Sequence, residues 1–180
     1  MTTGTCPDLV LDTTCLAHVG RIDRLDVLGD LLSGRRCWTT TAVREELRRG
    51  PEVGHELGKV LDLPWLPVVP QDDWDHIMSF SRWVERIGST ERNIGEATVF
   101  AAAEVLEAVA ITDDRNATAV ARSYGLRVHG TVWLLAQACL EGKLTETGAA
   151  NLVDMLRGSG MRLPCSGADF PAFARKHGLL

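Results

Sequence analysis

The sequence predicts an α/β fold, specifically a three-layer α/β/α sandwich around a mostly parallel central sheet, with further helices at the C-terminal end. Short apolar runs alternate with longer stretches of helical periodicity along the chain. The clearest runs, LVL at 9–11 and AVAIT at 108–112, are rich in buried-strand residues. With 180 residues, of which 45% are hydrophobic, the chain is long enough for one domain with a proper core.

The elements of the first half follow from this alternation. The strand at 9–11 ends at Asp12, and Thr13 or Thr14 could cap the helix that follows. The stretch 64–70 holds three prolines and predicts a loop with one edge strand. The other elements expected here are helical segments at 15–20, 22–32, 42–50, 54–62 and 72–87 and a strand at 36–39.

The second half continues the pattern and then loses its strands. Helices are expected at 94–107, 116–124 and 131–141, and strands at 108–112 and 127–129. Only helical patterns, at 145–157 and 168–177, follow. We therefore predict a domain over residues 8–144 and a C-terminal helical extension, 145–180, packed on it.

Composition and charge exclude several classes of protein. The net charge is −5, so nucleic-acid binding would need a local basic patch. The N-terminal sequence lacks a signal-peptide pattern, and no apolar stretch approaches the roughly 18 residues of a membrane span. The five cysteines include no C-x-x-C pair, which favours reduced cysteines and a cytoplasmic location. The motifs of dinucleotide-binding folds, P-loops, zinc peptidases and serine hydrolases are missing.

Acidic residues occur where the predicted fold would bring them together. Asp12 ends the first strand, and Asp113 and Asp114 follow the strand at 108–112. Glu46 lies one turn into the helix after the second strand, and Glu96 lies at the start of the helix at 94–107. Because the carboxyl ends of parallel strands share one edge of the sheet, these acids could converge there.

Each acid also has a structural alternative. An Asp at a strand end can be a turn or cap residue, which applies to Asp12, Asp113 and Asp114. Glu46 could be a solvated side chain near Arg49, and Glu96 could complete a capping box with Asn93.

A cluster is harder to explain in this way, because two carboxylates about 5 Å apart at an effective dielectric constant of about 20 repel by about 3 kcal/mol. Mg²⁺ or Mn²⁺ would neutralise such a cluster, and two of these ions could clamp a phosphate and activate water. Arg44, Arg48 and Arg115 lie near the acids and could contact RNA phosphates, and Thr13 could orient a phosphate or a water.

Four segments carry a resemblance to a known family. They are LVLDTTCL at 9–16, TTAVREEL at 40–47, NIGEATVFAAA at 93–103 and ITDDRNATAVARSYGLRVHGTVWLLAQACLEGKL at 111–144. Over residues 8–144 the sequence resembles the PIN-domain family of metal-dependent ribonucleases, including VapC-type toxins. Asn116 stands where many members have a further Asp.

The resemblance implies an endoribonuclease with Asp12, Glu46, Glu96 and Asp114 as catalytic residues. Asp12, Glu96 and Asp114 would hold Mg²⁺ or Mn²⁺ with help from Asp113, and Glu46 would act through water. It also implies an antitoxin partner and a homodimer. Two alternatives stay open: a non-catalytic RNA- or protein-binding module with a degenerate acidic site, and a domain in which the acids only cap helices.

Overall fold

The computed structural model describes residues 6–49 and 62–180. Within them, four parallel strands form one sheet in the order β2-β1-β3-β4. The strands are β1 (Leu9–Leu11), β2 (Cys37–Trp38), β3 (Val109–Ile111) and β4 (Val128–His129). The predicted α/β class with a parallel sheet is thereby confirmed.

The two central strands pair in register, Leu9 with Val109 and Leu11 with Ile111. Every side chain of β1 and β3 is buried, as expected where helices cover both faces of a sheet. At the other edge of β1, Leu9 pairs with Cys37 of β2. The edge strand expected within 64–70 is a single parallel bridge from Thr39 to Val68.

Nine helices lie in the described part of the chain. They are α1 (Thr13–Arg21), α2 (Leu25–Leu32), α3 (Thr41–Arg49), α4 (Trp74–Ile87), α5 (Glu91–Val105), α6 (Arg115–Ser123), α7 (Thr131–Leu140), α8 (Glu146–Gly158) and α9 (Phe170–Lys176). None of these helices is long and apolar enough to cross a membrane.

The order of the strands puts helices on opposite faces of the sheet. The connections β1-to-β2 and β3-to-β4 run in opposite directions along it, so right-handed crossovers place their helices on opposite sides. The contacts between helices are consistent with this arrangement: α6 packs against α4 and α5, whereas α2 packs against α7. A crevice therefore opens at the carboxyl ends of the neighbouring strands β1 and β3, the usual location of ligand sites in such sheets.

Helix α5 begins three residues earlier than the sequence indicates, and the difference bears on Glu96. Thr90 is its N-cap residue, and Asn93 lies inside the helix with Nδ2 donating to the Ile87 carbonyl at 2.6 Å. The capping box proposed for Asn93 and Glu96 is therefore wrong. Most other predicted helices and strands agree to within about two residues. The helix expected at 54–62 lies outside the described residues, apart from Asp62 in a turn.

Two apolar clusters hold the layers together. The larger lies around the central strands and includes Trp83 packed edge-on against Phe100, with ring centroids 5.3 Å apart. The smaller joins α7, α8 and α9 through Val153 and Phe170. Residues after 144 thus pack against α7, while the domain boundary at 144 stays a prediction.

Candidate active site

A cleft of about 1530 Å³ opens at the carboxyl ends of β1 and β3. The five acids singled out from the sequence all line it, and Glu45 is a sixth. The lining carboxylates are Asp12, Glu45, Glu46, Glu96, Asp113 and Asp114. Residues far apart in the chain therefore meet at one edge of the sheet.

Asp12 lies between the end of β1 and the start of α1. Its backbone N–H donates to the Ile111 carbonyl at 3.0 Å, which ties it to β3. Its carboxylate is buried and accepts a hydrogen bond from Thr112 Oγ1 at 3.1 Å. Burial raises the pKa of Asp12, against the opposing effect of its hydrogen-bond donors. Asp12 occupies the N-cap position of α1 without a side-chain capping bond, although the N–H groups of Thr13 and Thr14 at the start of α1 favour its charged form.

Glu46 reaches the cleft from α3. Thr13 Oγ1 donates to its Oε2, so Thr13 holds this carboxylate and does not cap α1. A Cβ atom on Gly95 would overlap Glu46 Oε1, so the bare glycine makes room for the carboxylate. Partial burial, followed by the charge of Asp12, raises the pKa of Glu46. Glu46 is half-buried, and Arg49 pairs with Glu45 instead, so the interpretation as a solvated side chain is wrong.

Glu96 is the least satisfied of these carboxylates. Its side chain is buried, and its Oε2 has no hydrogen-bond partner among the described residues. Burial, together with the charges of Asp12, Asp114 and Glu46, raises the pKa of Glu96 to about 7. A buried oxygen without a partner is costly unless a ligand or a proton satisfies it.

Asp113 and Asp114 turn toward different helices. Asp114 caps α6 by accepting from the Ala117 N–H at 2.9 Å. Asp113 accepts from the N–H of Thr131 at 3.0 Å and from its Oγ1 at 2.6 Å, at the start of α7. A Cβ atom on Gly130 would crowd Asp113 Oδ1. Burial raises the pKa of Asp113. The capping alternative is confirmed for Asp114, while Asp113 joins the end of β3 to α7.

The cleft suits a hard divalent cation in its chemistry. Its acidic side chains supply carboxylate oxygens, which Mg²⁺ and Mn²⁺ prefer, and Glu96 Oε2 is a buried acceptor to which no described residue donates. Within the described ranges, however, no three potential ligands are grouped closely enough to hold an ion as they stand. The donor set fits the ion, and binding requires the carboxylates to move closer together.

The predicted RNA contacts are only partly brought to the cleft. Thr13 and Arg115 line it. Arg44 instead donates to the Leu66 carbonyl at 3.1 Å, and the exposed Arg48 is absent from the described lining.

Sequence reasoning missed several residues of the site. Thr112 and Thr131 hold carboxylates, and Gly95 and Gly130 make space for them. His18, Arg157 and Arg162 line the cleft, the last two from the C-terminal region. Gly130-Thr131 lies within the 111–144 segment, a usable signal, whereas nothing in the sequence marks Arg157 or Arg162.

Comparison with known families agrees with this architecture. The family model DUF3368, described as a PIN domain, matches residues 8–167, beyond the boundary predicted at 144. No curated protein and no solved structure matches the chain significantly. PIN domains are generally nucleases and typically use divalent metals. Since the match covers most of the chain, this protein belongs to the PIN-domain family.

Proposed function

We propose that this protein is an endoribonuclease that depends on Mg²⁺ or Mn²⁺ and hydrolyses phosphodiester bonds by attack of water. The observation that carries the proposal is Glu96. Its buried Oε2 has no hydrogen-bond partner in the part of the chain that the structure describes, and three other carboxylates lie near enough to raise its pKa. A fold retains such a carboxylate at a cost, which a bound cation would offset.

The residues have separate roles in this proposal. Asp12, Glu96 and Asp114 would hold the cation, and Asp113 would support them from α7. When bound, the ion supplies positive charge to the phosphate oxygens and lowers the pKa of water. Glu46, oriented by Thr13, would position the attacking water and accept its proton. Thr112 keeps the Asp12 carboxylate aimed into the cleft.

Thermal unfolding with EDTA or with excess Mn²⁺ tests the metal site. At a concentration one hundred times Kd, binding would stabilise the native state by about 2.7 kcal/mol. In a chain of this size, that corresponds to a rise in Tm of about 5–10 °C. Asp12→Asn should lose the response. Asp8→Asn is the matched control, because Asp8 pairs with Arg36 at the opposite end of β1.

Cleavage of single-stranded RNA completes the test. We expect Mn²⁺-dependent cleavage by the wild type and by Asp8→Asn, and none by Asp12→Asn. A full rate in Asp12→Asn, or wild-type unfolding that ignores Mn²⁺, would contradict the proposal.

The hydrogen bonds of Asp113 and Asp114 favour the non-catalytic alternative, because carboxylate oxygens that already accept protein donors are less available to a cation. The carboxylate oxygens of Asp113 already accept hydrogen bonds from Thr131, and Asp114 caps α6. Under this alternative, RNA would bind equally well with EDTA and with Mn²⁺, and no cleavage would follow.

The toxin role is a further part of the proposal. It rests on the resemblance to the PIN-domain family, many members of which are toxins of toxin–antitoxin pairs, and it includes an antitoxin partner and a homodimer. Light scattering of the purified chain tests the homodimer, and a mass of about 20 kDa in place of about 39 kDa would contradict it.

A further inference from the structure

Four exposed arginines line the same cleft as the carboxylates, and one of them, Arg49, is paired with Glu45. We call Arg115, Arg157 and Arg162 the arginine rim. Arg115 begins α6, next to Asp114, whereas the other two lie at the end of α8 and just beyond it. The rim therefore brings together the strand-end acids and the C-terminal part of the chain.

Among the described residues, the rim differs from most other arginines in having no hydrogen-bond or ion-pair partner. Within the described part of the chain, none of its three guanidinium groups forms a hydrogen bond or an ion pair, although carboxylates are in excess. Elsewhere arginines are paired, as in Arg36 with Asp8, Arg49 with Glu45 and Arg175 with Glu146. The rim is thus available to an external anion.

The C-terminal members of the rim are held in place by their neighbours. Met161 is 3% exposed and belongs to the main core, and its N–H donates to the Leu156 carbonyl at 3.1 Å. Gly160 makes the turn with a φ of 91°. Ser159 Oγ lies 2.8 Å from His18 Nδ1, which connects the segment to α1. Arg157 and Arg162 therefore flank an anchored turn and do not belong to a loose tail.

The chemistry of the rim indicates the ligand. Guanidinium groups bind phosphate oxygens through paired hydrogen bonds. A single small anion would be repelled by the carboxylates, whereas an RNA strand carries a phosphate at every nucleotide. If one phosphate lies at the carboxylate centre, with the cation of the proposed function between them, the neighbouring phosphates are the groups available to the rim.

We propose that Arg157 and Arg162, together with Arg115, bind the backbone phosphates that flank the scissile phosphate of an RNA strand. This inference rests on the proposed function and adds a substrate-binding surface from the C-terminal region. Because phosphates carry no base identity, the rim would supply affinity and register without sequence preference.

Binding of a fluorescein-labelled single-stranded RNA, followed by anisotropy at several salt concentrations, tests the proposal. Ca²⁺ replaces Mg²⁺, and a gel verifies that the RNA stays intact. For single strands the salt slope is about 0.7 per phosphate contact, so at 0.15 M salt each lost contact should weaken binding about fourfold, and both about 14-fold. We expect Arg157→Gln and Arg162→Gln each to weaken binding about fourfold and the double variant to weaken it about 14-fold. The salt slope of the double variant should be smaller than that of the wild type by about 1.4.

Matched variants separate charge from structure. Arg36→Gln makes the same change at the opposite end of the sheet and should bind like the wild type. Arg157→Lys/Arg162→Lys keeps both charges and should retain most of the salt slope. An unchanged Tm in the Gln variants verifies their fold.

The outcomes distinguish this inference from the proposed function. A double Gln variant with wild-type affinity and slope overturns the inference, even where metal-dependent cleavage stands. Rim-dependent RNA binding without metal response or cleavage supports the phosphate contacts of the rim, but it overturns the nuclease and with it the placement of the rim beside a scissile phosphate. An acidic peptide that competes only with the intact rim, while RNA binding is unaffected, would assign the rim to a protein partner and overturn the inference.

Discussion

The charged form of the Glu96 side chain is unfavourable for two reasons. It is buried, and it lies among other carboxylates that raise its pKa from 4.5 to about 7. Without a cation, a proton is the remaining way to relieve it. Under the proposed function, protonation and metal binding would compete at this residue, and metal affinity should rise as the pH increases through about 7.

The stability of the metal-free protein should depend on pH for the same reason. Between pH 4.5 and about 7 the native state binds more protons at Glu96 than the unfolded state, so stability falls as pH rises. The loss from Glu96 is of the order of 3 kcal/mol, and Asp12, Glu46 and Asp113 add to it in the same direction. Urea unfolding in EDTA at several pH values measures the slope.

Glu96→Gln should flatten this slope and stabilise the protein at pH 8. The control is Glu45→Gln, which removes a charge from a half-exposed, ion-paired residue of the same cleft. An equally steep fall in Glu96→Gln would show that Glu96 does not carry the effect.

Gly95 allows stability and activity to be separated. Gly95→Ala should stabilise α5 by up to about 1 kcal/mol, because alanine is the better helix former. The new methyl group would displace the carboxylate of Glu46, so we expect cleavage to fall at least tenfold. Gly158→Ala in α8 meets open space and should leave cleavage unchanged. Reduced stability and normal cleavage in Gly95→Ala would contradict this.

The residues of the site differ in how well the sequence predicts them. Asp12, Glu96 and Asp114 could be grouped because strand ends and helix starts fix their positions along the chain. Arg157 could not, because its place in the cleft depends on how α8 and Met161 pack into the core. That packing joins segments more than a hundred residues apart and leaves no local pattern.

At the scale of elements, the two aspartates after β3 set the starts of two helices. Asp114 caps α6, whereas Asp113 binds both donors of Thr131 in α7. Replacing Asp113 leaves the N–H of Thr131 without this acceptor, in a buried residue. A polar group left in this way costs about 1–3 kcal/mol.

We therefore expect opposite signs from two carboxylates of one cleft. Asp113→Ala should lower the free energy of unfolding by about 1–3 kcal/mol, since a hydrogen-bonded cap is lost. Asp12→Asn in metal-free protein should raise it, because repulsion and the burial of a charge are relieved. Urea unfolding in EDTA at pH 8 measures both. Destabilisation by Asp12→Asn would assign a structural role to that residue.

The strands and most helices could be predicted from periodicity, and the start of α5 shows the limit of such reasoning. Asn93 and Glu96 have the spacing of a capping box, yet the helix already begins after Thr90. Spacing alone does not distinguish the two helix starts, and in the structure Asn93 binds the Ile87 carbonyl at the end of α4 instead of capping its own helix.

At the scale of the whole molecule, the site depends on the order of the strands. The connection that leaves β1 and the connection that leaves β3 run in opposite directions along the sheet. The helices that follow β1 and β3 therefore lie on opposite faces of the sheet, and the cleft opens between the ends of these two strands. Helices α3 and α5, which lie between β2 and β3 in the chain, add Glu46 and Glu96 to it. The C-terminal turn then contributes the arginine rim. No single stretch of sequence contains the site, so its acids had to be located through the predicted fold.

The pairing of β1 with β3 also has a consequence for the timing of synthesis. Leu9 meets Val109, about one hundred residues later in the chain, and the turn around Met161 joins the core later still. A growing chain on the ribosome, made at about 5–20 residues per second, therefore carries its first acid long before the partners of that acid exist. The cleft is complete only when residues up to Leu163 have left the ribosome, so under the proposed function the nascent protein would not cleave its own messenger RNA before that point.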